Sequence, residues 1–234
     1  MLNTIKCKSC ETENALFRLN CTKCNNYLRA KIWNIDLWND IRLLIESPTK
    51  GFTNIIWSEH KNFIVFIIII AAIKLMIDSF FLKMTLGDIS FSFPGFFISY
   101  LVVLAEVSAF LLLYASLIKT INKFLNLETR YKDVFSIITY SLFPNVFALF
   151  SLFLVEIILF GGYLFSINPL PTLIKPLLAY TLITFEILIF LWCIFILAFG
   201  FYTLTKIKLY SIVASILFFI LLVIVLLLTP YNIL

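Results

Sequence analysis

The sequence predicts an all-α polytopic membrane protein: five transmembrane helices preceded by a small cysteine-rich module and amphipathic interfacial helices. Three observations carry this. The 234 residues are 62% hydrophobic and only 13% charged. Soluble domains are about 45–50% apolar, so the bulk of this chain belongs in a bilayer. Five apolar stretches, 63–82, 97–118, 146–165, 177–200 and 209–229, each approach the ~20 residues a helix needs to cross ~30 Å of hydrocarbon. Finally, Cys7-x2-Cys10 and Cys21-x2-Cys24 set four thiols in two tight pairs ahead of those stretches.

The four thiols define the first element, residues 1–30. A thiolate quartet binds Zn²⁺ tetrahedrally at ~2.3 Å per sulfur, and each C-x2-C turn brings two sulfurs to one cation. The ten residues between the pairs, ETENALFRLN, suffice for a tight hairpin, with Leu16, Phe17 and Leu19 placed to pack beside the metal. So small a module lacks the apolar burial to fold alone, and the metal supplies the folding energy. A closed four-thiolate site leaves no position for a substrate, so the zinc is structural; an iron site or a redox pair is the alternative. Cys193, inside the fourth apolar stretch, reads as a small buried apolar residue.

Residues 31–61 form the second element. Trp33, Leu37, Ile41 and Leu44 recur at helical spacing, with Asp36, Asn39, Asp40 and Arg42 elsewhere on the wheel. Ser47-Pro48 restarts a helix with Ser at the N-cap and Pro at the first helical position. Phe52, Ile55, Ile56 and Trp57 supply its apolar side. Two placements stay open: at the membrane interface with Trp at headgroup level, or packed on the ribbon or on the ends of the bundle.

Residues 62–234 carry the five spans. Backbone polar groups in lipid must satisfy themselves, so the spans are helices; a barrel would alternate polar and apolar residues. A segment at 129–138, with Tyr131, Val134, Phe135 and Ile138 on one side, precedes the third span, and Pro144 breaks or kinks the chain there. Gly161-Gly162, Pro169, Pro171 and Pro176 supply turn chemistry. MLNTIKCKSC has no apolar h-region, so no signal peptide is expected and the first span acts as the targeting signal.

Charge placement predicts orientation. Nine Lys and Arg precede Phe63, while Lys119, Lys123, Arg130 and Lys132 lie between spans two and three, and Lys206 and Lys208 between spans four and five. The alternate loops offer Lys83 and Lys175, and the tail PYNIL offers none. The positive-inside rule then puts the N-terminus in the cytoplasm and the C-terminus outside, in the inner (cytoplasmic) membrane of a cell. A reducing cytoplasm disfavours disulfides among the four thiols. No basic stripe adjoins them, which argues against a nucleic-acid partner.

Lys74, Asp78, Glu106, Glu156 and Glu186 fall within the spans. Helical rise places Lys74 and the three glutamates about 14–17 Å deep, near the midplane, and Asp78 shares a helix face with Lys74. Intramembrane charge is costly and faces a bundle interior. In one reading Lys74 pairs with Asp78 or a glutamate and the cluster holds helices together, each polar contact contributing on the order of 1 kcal/mol. In the other the acids form a proton or cation pathway, which Glu106→Gln or Glu186→Gln abolishes in a liposome flux assay. The absence of a broken-helix pattern favours the first.

No phosphate-binding loop, dinucleotide fingerprint or nucleophile elbow is present. The single histidine, His60, precedes the first span as an interfacial polar residue. With no nucleophile–base pair, the chain is expected not to be an enzyme.

The segments also resemble a known family. Cys24-Asn25-Asn26-Tyr27-Leu28-Arg29, Asn34-Ile35-Asp36-Leu37-Trp38, Glu46-Ser47-Pro48, Asp133-Val134-Phe135 through Phe143-Pro144, and Trp192 with Gly200 and Lys206–Ser211 follow one another as in bacterial members of the Yip (Ypt-interacting protein) family that carry an N-terminal zinc ribbon. Family knuckles often read Cys-x-x-Cys-Gly; here Glu11 and Asn25 stand after the second cysteines. With the cytoplasmic placement of the ribbon and interfacial helices, this leads to the expectation of a non-enzymatic, cytoplasm-facing adaptor or scaffold for protein or lipid partners in membrane organisation or trafficking, touching the bilayer and a candidate cytoplasmic protein partner. The resemblance offers no catalytic residues to carry over. The runner-up is a small transporter or channel using Lys74, Glu106, Glu156 and Glu186.

Overall fold

A computed structural model describes residues 3–85, 95–166 and 168–229. Residues 86–94, and the PYNIL tail whose lack of Lys and Arg enters the orientation expectation, lie outside the described residues. The elements are β1 (Thr4–Lys6), β2 (Glu13–Ala15), α1 (Leu37–Glu46), α2 (Pro48–Trp57), α3 (Ile64–Thr85), α4 (Phe96–Phe124), α5 (Tyr131–Ser141), α6 (Phe143–Phe150), α7 (Leu152–Phe160), α8 (Pro171–Ile174), α9 (Pro176–Thr205) and α10 (Lys208–Leu228). Among the described residues, five helical segments are long and apolar enough to cross a membrane: Ile64–Met84, Phe96–Phe124, Tyr131–Phe165, Pro176–Thr205 and Lys208–Leu228.

The third span departs most from expectation. It is helical from Tyr131, and it breaks at Leu142 and again at Ser151. Pro144 sits in the first turn of α6, where its missing N–H costs nothing. At Ser151 the hydroxyl donates to the Phe147 carbonyl at 2.8 Å, a back-bond that bends helices. An interrupted helix therefore accompanies the intramembrane acids after all. Sequence reasoning missed it because a serine in an apolar run carries no period change. A left-handed residue follows two of the long helices, Asn126 after α4 and Lys206 after α9, as at many helix C-termini.

The chain divides into two compact units. The first gathers the residues up to Val65 with Leu111–Ser141 and Phe195–Phe218. Here β1 pairs antiparallel with β2, Ile5 opposite Asn14. Asp36 caps α1 by accepting from the Asn39 N–H at 3.3 Å. Asp40, off the apolar stripe of α1, is nonetheless buried and accepts from Asn54 Nδ2 of α2 at 3.2 Å. Burial pushes its carboxyl up from the usual range. Ser47 and Pro48 start α2 as expected, although the Ser47 side chain makes no capping bond. Phe52, Ile55 and Ile56 of α2 are fully enclosed. Gly200 of α9 lets Phe52 and Ile137 approach closely: a Cβ there would meet Ile137 Cγ2 at 2.5 Å. So α2 packs against protein, while α1 turns Trp38 and Ile45 outward.

The second unit gathers Phe66–Phe110, Leu142–Ile194 and the chain from Phe219. Phe81 stacks on Phe165 with centroids 5.9 Å apart, and Phe190 meets Phe219 edge-on at 6.1 Å. Residues 161–165 form a 3-10 turn begun by Gly161 at φ +53°, a region that favours glycine.

Candidate functional site

Each cysteine pair is built by the same backbone turn. Glu11 N–H donates to Cys7 O at 2.9 Å and Asn25 N–H to Cys21 O at 3.1 Å. Glu11 and Asn25 both hold φ +57°. Cys7 N–H then donates to Thr12 O and Cys21 N–H to Asn26 O, at 3.0 and 2.9 Å. The two turns face each other and gather all four Sγ atoms within 4.8 Å. Cys7 Sγ is 3.4 Å from Cys24 Sγ, and Cys10 Sγ is 3.5 Å from Cys21 Sγ. A tetrahedron with ~2.3 Å metal–sulfur bonds has edges of ~3.8 Å, so the donor set fits one tetrahedral metal ion.

The electrostatics point the same way. The Cys24 and Lys23 N–H groups hold the Cys21 thiol down at about 6. Cys24 gains from the Asn26 N–H, but the crowding sulfurs of Cys10 and Cys7 outweigh it and push that thiol up to about 12. Four thiolates this close repel one another unless a cation sits among them. Asn14, unremarked in the sequence, braces the second turn. Its side-chain oxygen accepts from Thr22 N–H and Oγ1 at 2.9 and 3.0 Å, and its Nδ2 lies 3.5 Å from Cys21 Sγ.

The hairpin runs around the first cysteine pair, not within the linker between the pairs. Phe17, expected beside the metal, lies under the Arg130 guanidinium at 4.7 Å. Arg130 joins three parts of its unit. It grips the fully buried Asp133 at 2.7 and 3.0 Å, donates to Ile56 O at 2.9 Å, and covers Phe17. Lys61 Nζ lies 3.2 Å from the same Asp133. Burial, partly offset by Asp133, lowers the Lys61 ammonium to about 8. Asn3 Nδ2 donates to Leu204 O at 3.0 Å, and Arg29 stacks on Trp57 at 5.5 Å. The cysteine-rich module is thereby anchored to α2, α5 and α9. Arg130 and Lys61 entered the sequence argument only as orientation charges; their pairing with Asp133 has no signal in spacing.

Within the second unit, Lys74 is fully buried and binds two acids. It pairs with Asp78 one turn on, and with Glu186 Oε1 of α9 at 2.6 Å. Glu156 of α7 is 6% exposed and interacts with the Glu186 side chain; its Oε2 has no hydrogen-bond partner among the described residues. Glu106 belongs to a different set: its Oε2 accepts from Thr229 Oγ1 at 2.7 Å, and Lys83 donates to the Thr229 carbonyl at 2.5 Å. The expected five-residue cluster is thus two groups. Lys83, expected in a loop, is a buried residue of α3.

A family model described as the Yip1 domain matches residues 42–229. The chain belongs to the Yip1-domain family. The match takes in the end of α1, all of α2 and the five membrane-spanning segments. The four cysteines lie ahead of the matched residues. Arg130, Asp133, Lys74 and Glu186 all lie within the Yip1 domain. No curated protein and no solved structure matches the chain.

Proposed function

We propose that this Yip1-domain protein is a non-enzymatic adaptor whose cytoplasmic head docks a protein partner. The head comprises a zinc ribbon at 1–30, with Zn²⁺ on Cys7, Cys10, Cys21 and Cys24, and the helical segment 31–61. The five-helix domain at 62–234 holds it in the inner membrane, with the N-terminus inside and the C-terminus outside. In that domain Lys74, Asp78 and Glu186 hold α3 to α9. The surplus of Lys and Arg in the 1–62, 119–132 and 206–208 segments supports the orientation.

One observation carries the docking role. Trp38 is 81% exposed and Ile45 is 55% exposed on α1, a helix whose other side, Asp40 and Leu44, is buried. A large outward apolar pair on an anchored helix is the surface partners use, and Trp dominates such contacts. Co-purification after mild detergent extraction tests it. Trp38→Ala/Ile45→Ala and Cys7→Ser are expected to lose partners that the unmutated chain retains. An unchanged partner set overturns the role, as does strong quenching of Trp38 by brominated lipids, which assigns that face to the bilayer.

A further inference from the structure

We propose that the second unit contains a binding site for a lipophilic organic cation, a protonated amine on an apolar body. The site is a cavity of about 710 Å³ walled by α3, α7, α8, α9 and α10, within the roughly 300–1,000 Å³ typical of small-molecule sites. Three carboxyl groups line it, Asp78, Glu156 and Glu186, in a wall otherwise dominated by residues such as Phe160, Leu182 and Phe190.

Those carboxyls are not fully used. Lys74 takes Asp78 Oδ1 and Glu186 Oε1. Glu156 and Glu186 also meet each other through their side chains; among the described residues, Asp78 Oδ2, Glu156 Oε2 and Glu186 Oε2 are buried without a hydrogen-bond partner. Lys74 thus pairs with two of the three acids, and buried polar groups without partners are costly. A second ammonium has three N–H donors for the three open oxygens. A hard metal cation is a poorer match, because it takes six to eight oxygen ligands and the wall is mostly hydrocarbon. Tyr180, Ile187 and Leu191 of α9 line the same cavity and are each more than half exposed. The cavity therefore opens on a face of a membrane-spanning helix, which selects a ligand that reaches it through apolar surroundings.

The test uses the full chain in lipid nanodiscs and two probes of one shape, 1-aminoadamantane and 1-hydroxyadamantane, in equilibrium dialysis. The amine is expected to bind saturably and at least tenfold more tightly than the alcohol. Glu156→Gln, which keeps the shape and removes the charge, is expected to weaken amine binding at least tenfold. Ala179→Phe fills the cavity and keeps all three acids; it is expected to abolish saturable binding, and it decides the matter alone should Glu156→Gln fail to fold. No saturable amine binding, equal binding of both probes, or undiminished binding in either folded variant overturns the proposal. The site lies apart from the proposed docking head in the chain, and its failure leaves that role untouched.

Discussion

Glu11 holds a left-handed backbone that glycine would adopt without strain. At φ +57° it closes the first cysteine turn as Asn25 closes the second. A side chain with a Cβ costs roughly 1–2 kcal/mol in that region, and Asn tolerates it better than Glu. Glu11→Gly is therefore expected to stabilise the metal-bound module by about 1 kcal/mol, read as slower metal loss to a competing chelator. Unchanged or faster loss contradicts it. Lys61 offers a second prediction. Its folded value of about 8 lies below the ~10.4 of a free lysine. Between those values the folded chain binds fewer protons than the unfolded one, so Lys61 makes stability rise with pH across that window. Below about pH 8 both states hold the proton and the residue adds no pH dependence. An NMR titration of ¹³C-methylated lysines is expected to show one midpoint near 8 that Lys61→Met removes; a midpoint above 10 refutes it.

Elements are joined here by polar contacts where apolar packing alone gives little specificity. In a bilayer, lipid tails are as apolar as leucine, so hydrophobic burial does not choose between helices. The Lys74–Glu186 pair joins α3 to α9. Lys74→Met leaves two acids without their cation and is expected to destabilise the detergent-solubilised protein by about 3 kcal/mol. The set Lys74→Met/Asp78→Leu/Glu186→Leu is expected to recover most of that loss, since replacing a complete ion pair by apolar residues is often neutral. Thermal unfolding in one detergent measures both; a triple variant as unstable as the single one argues against a holding role. The spans were legible from length and apolarity, because a bilayer imposes both. Their partners were not: charge depth grouped Glu106 with Lys74, whereas Thr229 is what meets it. The Ser151 break was hidden for a similar reason, since a single hydroxyl that bonds its own helix leaves hydropathy almost unchanged.

For the whole molecule, the proposed zinc ribbon would bring its own source of stability. Two three-residue strands and a buried Ala15 cannot offset the entropy of ordering some thirty residues. Removing the metal with a strong chelator is expected to make the chain before Lys31 protease-sensitive while the helical circular dichroism of the Yip1 domain is retained. Loss of both together would mean that the domain depends on its head.

The sequence by itself determined that the chain has five membrane-spanning segments, that a four-thiol module precedes them, and which family it belongs to. Each rests on a local or periodic rule: helix length against bilayer thickness, C-x2-C spacing against one tetrahedral ion, segment order against a family pattern. Only the tertiary structure decided that Arg130 and Lys61 share Asp133, that α2 is enclosed while α1 shows Trp38, and that Glu156 is left facing a cavity. These are contacts between residues far apart in the chain. No spacing rule encodes them, because helices of similar apolarity pack by side-chain shape and by where single polar groups find each other.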